Sequence, residues 1–236
     1  MTDHVSKTAL DQSLPYGAVG AAICAQPDGY FSGTRPELVA LIPPHATRIL
    51  EVGCGEGGFA RTLRAARPES KLEIVGVEVS ESAGQIAAKV LDRLVVGNAE
   101  QVELDYENYF DCVIFADVLE HLIDPWRMLR RARRFLRGGW TIVASIPNVQ
   151  HWSVLANLIG GRWEYAPYGL MDQTHLRFFT RRTIRDLFVS TGFIPRTMSP
   201  LLGTTIRLRM ARLATAGLAI PFLARQYLVV ADRNDG

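Results

Sequence analysis

The sequence predicts an α/β fold, a mainly parallel sheet with helices on both faces. From about Thr47 onward, short apolar runs alternate with longer amphipathic segments at the interval of right-handed strand–helix–strand crossovers. The central runs are near-continuous in Val, Ile and Leu, as strands buried on both faces require. The size agrees: 236 residues, 48% hydrophobic and 21% charged, suit one domain with an ample core.

The elements follow in order. Thr47–Gly53 reads as a buried strand ended by a glycine cluster. Gly58 to Arg67 places Phe59, Leu63 and Ala66 at helical spacing, and Pro68 is a stop. Leu72–Glu78 is a second strand, followed by a helix from about Ser80 to Leu91, with Ser80 and Ser82 as candidate caps. Leu94–Gly97 and Phe110–Ala116 are the third and fourth strands. Asp124 caps the next helix with Pro125 in its first turn; it runs to about Leu136 and stops at Gly138-Gly139. Trp140–Ile146 is the fifth strand, closed by Pro147. The rhythm then breaks in an aromatic stretch, Asn148–Phe179, with a short helix expected at Ser153–Ile159. Thr180 caps a helix to about Ser190. Phe193–Ser199 and Gln226–Asp232 read as a hairpin-like pair at one edge, and Thr204–Leu223 between them as mostly helical.

We therefore expect an N-terminal extension or lid over residues 1–46 and one domain over 47–236, with insertions at about 148–179 and 204–223. Two apolar stretches, Ala18–Ala25 and Leu213–Ala224, fall short of the roughly 20 residues a spanning helix needs. The N-terminal residues lack the apolar segment of a signal peptide. Cys24, Cys54 and Cys112 form neither a disulfide framework nor a CxxC knuckle, so a cytoplasmic location is expected. A formal net charge of +2 gives no general pull toward nucleic acid.

The segment Glu51–Gly58 contains GxGxxG spacing at Gly53, Gly55 and Gly58, between a strand and a helix. Alone this fits dinucleotide sites equally well. Glu78, at the end of the next strand, adds an acid that accepts hydrogen bonds from both hydroxyls of a ribose. Charge then separates the nucleotides. A pyrophosphate here would meet Glu51 and Glu56, with Asp117 and Glu120 arriving from the neighbouring strand, at a cost on the order of 1 to 4 kcal/mol per like-charge contact. S-adenosylmethionine (SAM) has no phosphate and carries an ammonium and a sulfonium, so the same acids favour it.

Ile-Leu-Glu-Val-Gly-Cys-Gly-Glu-Gly, then Gly-Val-Glu-Val-Ser, Val-Gly-Asn-Ala-Glu and Phe-Asp-Cys-Val-Ile-Phe-Ala-Asp-Val-Leu-Glu-His-Leu resemble the ordered motifs of class I SAM-dependent methyltransferases. Leu136-Arg-Gly-Gly-Trp140 is similar to the turn before their fifth strand, with Arg137 where proline is common. The resemblance covers about Tyr30 to Phe193. It implies a Rossmann-like, seven-stranded, mostly parallel sheet whose last strand inserts antiparallel. It also implies that Glu51, Gly53, Cys54 and Gly55 line the methionine part of SAM and Glu78 holds the ribose. By the same likeness Val79 lies against the adenine, Asn98 and Ala99 meet its edge, and Asp117 and Leu119 face the methionine end. Asn98 stands where aspartate is frequent, and its amide oxygen still accepts from the adenine amino group. In related enzymes a segment ahead of the first strand closes over SAM. Tyr30 and Arg35 are expected to do so here, Arg35 pairing with the methionine carboxylate; the alternative is a plain packing arm.

Methyl transfer is an in-line displacement, so the protein must align the nucleophile, shield the site and, for a hydroxyl, take its proton. The loop after the fifth strand is placed to do this. Within it Asp172-Gln-Thr-His-Leu-Arg-Phe-Phe-Thr180 is similar to a segment in a branch linked to sugar, polysaccharide and natural-product modification. His175 is the expected general base, with Asp172 or Arg177 orienting it or the substrate, and His151 is the second candidate. The alternative is that His175 and Arg177 only tie the loop to the sheet. His121 lies in a run common to members with unrelated acceptors and is expected to be structural or on the SAM side. No metal is expected, because no histidine shows HExxH or H-x-x-E-H spacing.

The arginines of 127–137 read as a solvated helix face, with no recognised nucleic-acid module. The segment 204–223 is expected to pack or to form a homodimer face, with a wall of the acceptor pocket and peripheral membrane contact as the other options. The expected activity is methyl transfer from SAM to a small-molecule or glycan acceptor, at a hydroxyl oxygen, releasing S-adenosylhomocysteine. N-methylation of a sugar amine, nucleic-acid methylation and a non-catalytic SAM-binding partner subunit remain open.

Overall fold

The computed structural model describes residues 6–7, 15–26, 29–202 and 217–234. In chain order the elements are β1 (Ser6–Lys7), α1 (Pro15–Cys24), α2 (Pro36–Val39), β2 (Arg48–Val52), α3 (Gly58–Ala66), β3 (Glu73–Glu78), α4 (Glu81–Ala87) and β4 (Arg93–Val96). They continue with β5 (Phe110–Ala116), a 3₁₀ turn (Leu119–His121), α5 (Pro125–Phe135), β6 (Leu136–Pro147), α6 (Trp152–Ile159), α7 (Arg181–Ser190), β7 (Phe193–Leu202), α8 (Ile220–Leu223) and β8 (Ala224–Arg233).

Among the described residues one sheet holds every strand, in the order β1-β4-β3-β2-β5-β6-β8-β7. The two-residue β1 pairs with β4 at the edge. The other seven strands are the mixed sheet expected from the resemblance: β8 runs antiparallel to both its neighbours, β6 and β7, and the remaining pairs are parallel. The strand order reverses between β2 and β5, which opens a crevice beyond their C-terminal ends.

Alternation along the strands explains why the apolar runs have no polar side. Leu50, Val52, Val113 and Phe115 point to the face covered by Met128, Leu129 and Ala132 of α5 and by Ile184, Leu187 and Phe188 of α7. Their neighbours Ile49, Cys112 and Ile114 point to the other face, under Leu38 of α2, Phe59 and Leu63 of α3 and Ala87 of α4. Each large side chain fully buried in this way stabilises the fold by about 1.5–3 kcal/mol.

The structure departs from the sequence reading in several places. Gly138-Gly139 does not end α5; the helix stops at Phe135, and the glycines form an irregularity inside β6, between the Phe110–Leu136 and Cys112–Thr141 pairs. Helix α4 ends at Ala87, short of Leu91. The arginine helix is not simply solvated. Arg131 donates to the Ala99 and Val102 carbonyls at 2.8 and 2.5 Å, and Arg133 to the Asn234 carbonyl at 2.5 Å. Residues 148–179 leave and rejoin the sheet at one point, where Asn148 bridges Phe179. Of the segment 204–223, residues 204–216 lie outside the described residues, and α8 occupies Ile220–Leu223.

Candidate active site

Past Val52 the chain turns over Gly53 (φ 72°) and Gly55 (φ 53°), in the left-handed region that glycine enters freely. Space demands glycine as well: a Cβ on Gly55 would lie 2.4 Å from the Phe31 carbonyl oxygen, and one on Gly53 2.5 Å from Val118 Cγ2. The segment holding Phe31 lies across the loop, and the Glu56 N–H donates to the Phe31 carbonyl at 3.0 Å. Glu78 fastens the loop to β3, its carboxylate accepting the Gly55 N–H at 2.7 Å and the Ser80 N–H at 2.9 Å. Glu51 is buried, and its Oε2 has no hydrogen-bond partner among the described residues. Burial, then the Glu78 charge, raise the Glu51 carboxyl well above the ordinary carboxylate range.

These groups open onto a cavity of about 730 Å³. Glu51, Gly53, Cys54, Gly55, Glu78 and Val79 line one side. Asn98, Ala99, Asp117, Tyr30 and Arg35 line it too, as do Asp172 and His175. Two expected residues are not there. Leu119 is fully buried in the core beneath the 3₁₀ turn, because that turn rotates its side chain inward. His151 caps α6: its Nδ1 accepts the Ser153 N–H at 3.3 Å and lies 2.8 Å from Ser153 Oγ, so the ring serves the helix rather than the cavity. Glu56 is half-buried and does not line the cavity either.

Arg35 and Asp117 are both in the left-handed region, at φ 46° and 55°. For Arg35, directly before Pro36, this conformation is strained. The two are paired. Asp117 Oδ1 also accepts from Ser145 Oγ at 2.9 Å and Gln226 Nε2 at 2.7 Å, and Arg35 donates to Ser145 Oγ at 3.0 Å. The arginine expected to meet a ligand carboxylate is therefore bound to Asp117, and it links the N-terminal segment to β5, β6 and β8.

At the other end, residues 170–177 dock onto the 3₁₀ turn. The Leu176 and Arg177 N–H groups donate to the Glu120 carbonyl at 2.8 and 2.9 Å, and the Arg177 guanidinium donates to the Ile123 carbonyl. Arg177 thus ties the loop down. His121 Nδ1 lies 3.2 Å from the Thr174 carbonyl and 3.0 Å from Thr174 Oγ1. Thr174 Oγ1 donates to Asp172 Oδ1 at 2.7 Å, and Tyr30 donates to Asp172 Oδ2 at 3.2 Å. His175 Nδ1 lies 3.3 Å from the Leu170 carbonyl. Its Nε2 is 4.0 Å from Glu120 Oε1, and the two histidine rings meet edge to face at 4.7 Å.

Burial disfavours charge on all three groups. It lowers His175, lowers His121 to about 4 with help from His175, and pushes Glu120 up to about 8. Sequence reasoning placed Glu120 among the acids beside the cofactor and His121 in a general run. It did not bring either to His175, because that contact exists only once the loop has folded back.

The family described as "Methyltransferase domain" matches residues 27–196. A 27-O-demethylrifamycin SV methyltransferase of Amycolatopsis mediterranei is 34% identical over 110 residues, 43% of this chain and 39% of that protein. A ubiquinone biosynthesis O-methyltransferase of Cereibacter sphaeroides is 26% identical over 176 residues, 67% of this chain and 65% of that protein. The chain thus spans less than two thirds of the length of both relatives. The solved structure of an S-adenosylmethionine-dependent methyltransferase from Mesorhizobium loti shares the fold, with a TM-score of 0.60 and 21% identity over 87% of this chain and 99% of that one. With a family match across most of its length, on a sheet that carries the glycine loop at its point of reversal, the chain belongs to the methyltransferase-domain family.

Proposed function

We propose that this enzyme methylates a hydroxyl oxygen of a small-molecule or glycan acceptor. The observation that carries the reading is one cavity with two chemically distinct ends: buried acids around a glycine loop, and a Glu120–His121–His175 group facing them. The printed names of the Cereibacter and Amycolatopsis relatives support oxygen as the acceptor atom and a natural-product type of substrate.

The residues present fit SAM. Glu51 Oε2 is buried without a partner, which suits a cationic ammonium and not a phosphate. In this reading Glu51, Gly53, Cys54 and Gly55 hold the methionine part, Glu78 the ribose, and Val79, Asn98 and Ala99 the adenine. Arg35, held by Asp117, and Tyr30, held by Asp172, close the cavity from the N-terminal side. When bound, SAM supplies a methyl group on a positively charged sulfur.

The chain's own task is to place the acceptor oxygen and receive its proton. A backbone carbonyl only accepts, so the Leu170 and Thr174 carbonyls keep a hydrogen on Nδ1 of His175 and His121 and leave lone pairs on the Nε2 atoms. The hydroxyl's proton leaves toward Nε2 of His175. Asp172 positions the group through Thr174.

The same reading puts the enzyme in a reducing, cytoplasmic setting, supported by three free cysteines, two of them buried. Among the described residues no helix is long and apolar enough to cross a membrane. The direct test is transfer of labelled methyl from SAM to a panel of hydroxylated small molecules and glycans, run beside their amine counterparts and RNA. Label in the hydroxyl compounds is expected; label only in amines or RNA contradicts the reading.

A further inference from the structure

We propose that Glu120, His121 and His175 form a divalent-cation site at the acceptor end of the cavity, completed by the acceptor's oxygen. One donor atom from each residue lies within 4.8 Å of the other two. Ligand bonds near 2.1 Å at tetrahedral or octahedral angles put neighbouring donors roughly 3–3.5 Å apart. Closing around an ion therefore requires side-chain shifts on the order of 1 Å.

Three further features distinguish this group from a chance cluster. The Glu120 side chain is 1% exposed, and neither carboxylate oxygen has a hydrogen-bond partner among the described residues. Among the described residues no lysine or arginine forms an ion pair with it; Arg35, paired with Asp117, acts on it only through its field, and His175 Nε2 lies 4.0 Å away. A carboxyl so placed calls for a cation. Both imidazoles are then turned by an outer layer of acceptors, as metal-bound histidines are: Nδ1 of His175 toward the Leu170 carbonyl, and Nδ1 of His121 toward the Thr174 carbonyl. Thr174 is itself held by the Asp172 carboxylate at 2.7 Å. Finally, all three residues line the cavity, so the side away from the protein stays open for substrate.

Two imidazoles and one carboxylate suit a first-row divalent ion such as Zn²⁺, Mn²⁺ or Fe²⁺ better than a hard ion that prefers oxygen alone. The ion would orient the acceptor hydroxyl and weaken its O–H bond. With both imidazoles committed to the ion, the proton passes to water in place of His175, the electron pair stays on oxygen, and no oxidant or reductant is needed. HExxH-type spacing does not reveal such a site, because one ligand comes from a distant loop. The site's role in turnover rests on the function proposed above; its existence does not.

The test uses the full chain, stripped with EDTA and desalted, then titrated with Mn²⁺ alone while the free-ion electron paramagnetic resonance signal is followed. One Mn²⁺ per chain is expected, displaced by Zn²⁺. His175→Ala and Glu120→Gln should each weaken uptake at least tenfold while SAM binding, measured on the same samples, is retained. Thr174→Val should weaken uptake about tenfold through the outer layer. Absence of Mn²⁺ and Zn²⁺ uptake by the wild-type chain overturns the site, whatever the variants do. So does uptake unchanged in both ligand variants. Methyl transfer that survives EDTA in a chain that takes up no ion removes the site and leaves the proposed function standing. Stoichiometric uptake without methyl transfer to any hydroxyl keeps the site and removes that function.

Discussion

At the glycine loop, Gly53, Gly55 and Glu78 come from two neighbouring strands and hold one another through backbone N–H groups. At the other end of the same cavity, Glu120, His121 and His175 meet only because residues 170–177 fold onto the 3₁₀ turn. The first half is made of local sequence and main chain, which leaves little room for variation. The second is made of side chains on an excursion from the sheet, which can change without disturbing the strands. On the proposed function, that division puts the methyl donor on the scaffold and the acceptor on the excursion.

If the halves are separable, substitutions should divide cleanly between them. The largest effect is expected at the acceptor end: His175→Ala lowers kcat by about 100-fold or more, the range of proton-transfer catalysis, while the Kd for SAM stays within about threefold. A parallel loss of SAM affinity would break the comparison. Next, Glu78→Ala removes the acceptor of two loop N–H groups. At about 1.5–3 kcal/mol for a bond to a charged group, the Kd for SAM should rise roughly 10- to 100-fold by calorimetry, with acceptor KM little altered.

Glu51→Gln sharpens the comparison through stability. Burial raises the Glu51 carboxyl in the folded state, so the stability tied to its protonated form is present at low pH and lost as pH rises through the raised value. The glutamine variant escapes that loss. Without SAM its Tm at pH 8 should exceed that of the wild type by roughly 2–4 °C, for about 1 kcal/mol in a chain of this size. The gap should close as pH falls through the raised pKa, and SAM binding should weaken. A lower Tm at pH 8 would show that Glu51 is paired in solution. The smallest effect is expected for Asn98→Asp, since either side chain accepts the Glu100 N–H that Asn98 Oδ1 holds at 2.8 Å; the Kd for SAM should move by less than about threefold.

Legibility in the sequence followed the same division. The strands Arg48–Val52 and Glu73–Glu78, the turn at Gly53 and Gly55, and Glu78 at a strand end could be read because each signal spans a few residues. The errors fell where tertiary contacts decide. Leu119 was assigned to the cofactor, but the 3₁₀ turn carries it into the core. His151 was assigned as a base, but a helix needed its ring as a cap. Arg35 was expected to meet a ligand carboxylate, and Asp117 reaches it first. The Gly138-Gly139 pair reads as a stop by composition, yet pairing with β5 absorbs it as an irregularity in β6. His121 was set aside because its run is common, and only the returning loop puts it against His175.

The central claim is that buried acids around the glycine loop select a cationic sulfur nucleoside and reject a diphosphate. Side-by-side calorimetric titration of the full chain with SAM and NAD tests it most directly. The account predicts one SAM bound per chain, undisturbed by millimolar NAD. Saturable NAD binding that displaces SAM, or that occurs where SAM does not bind, would contradict it.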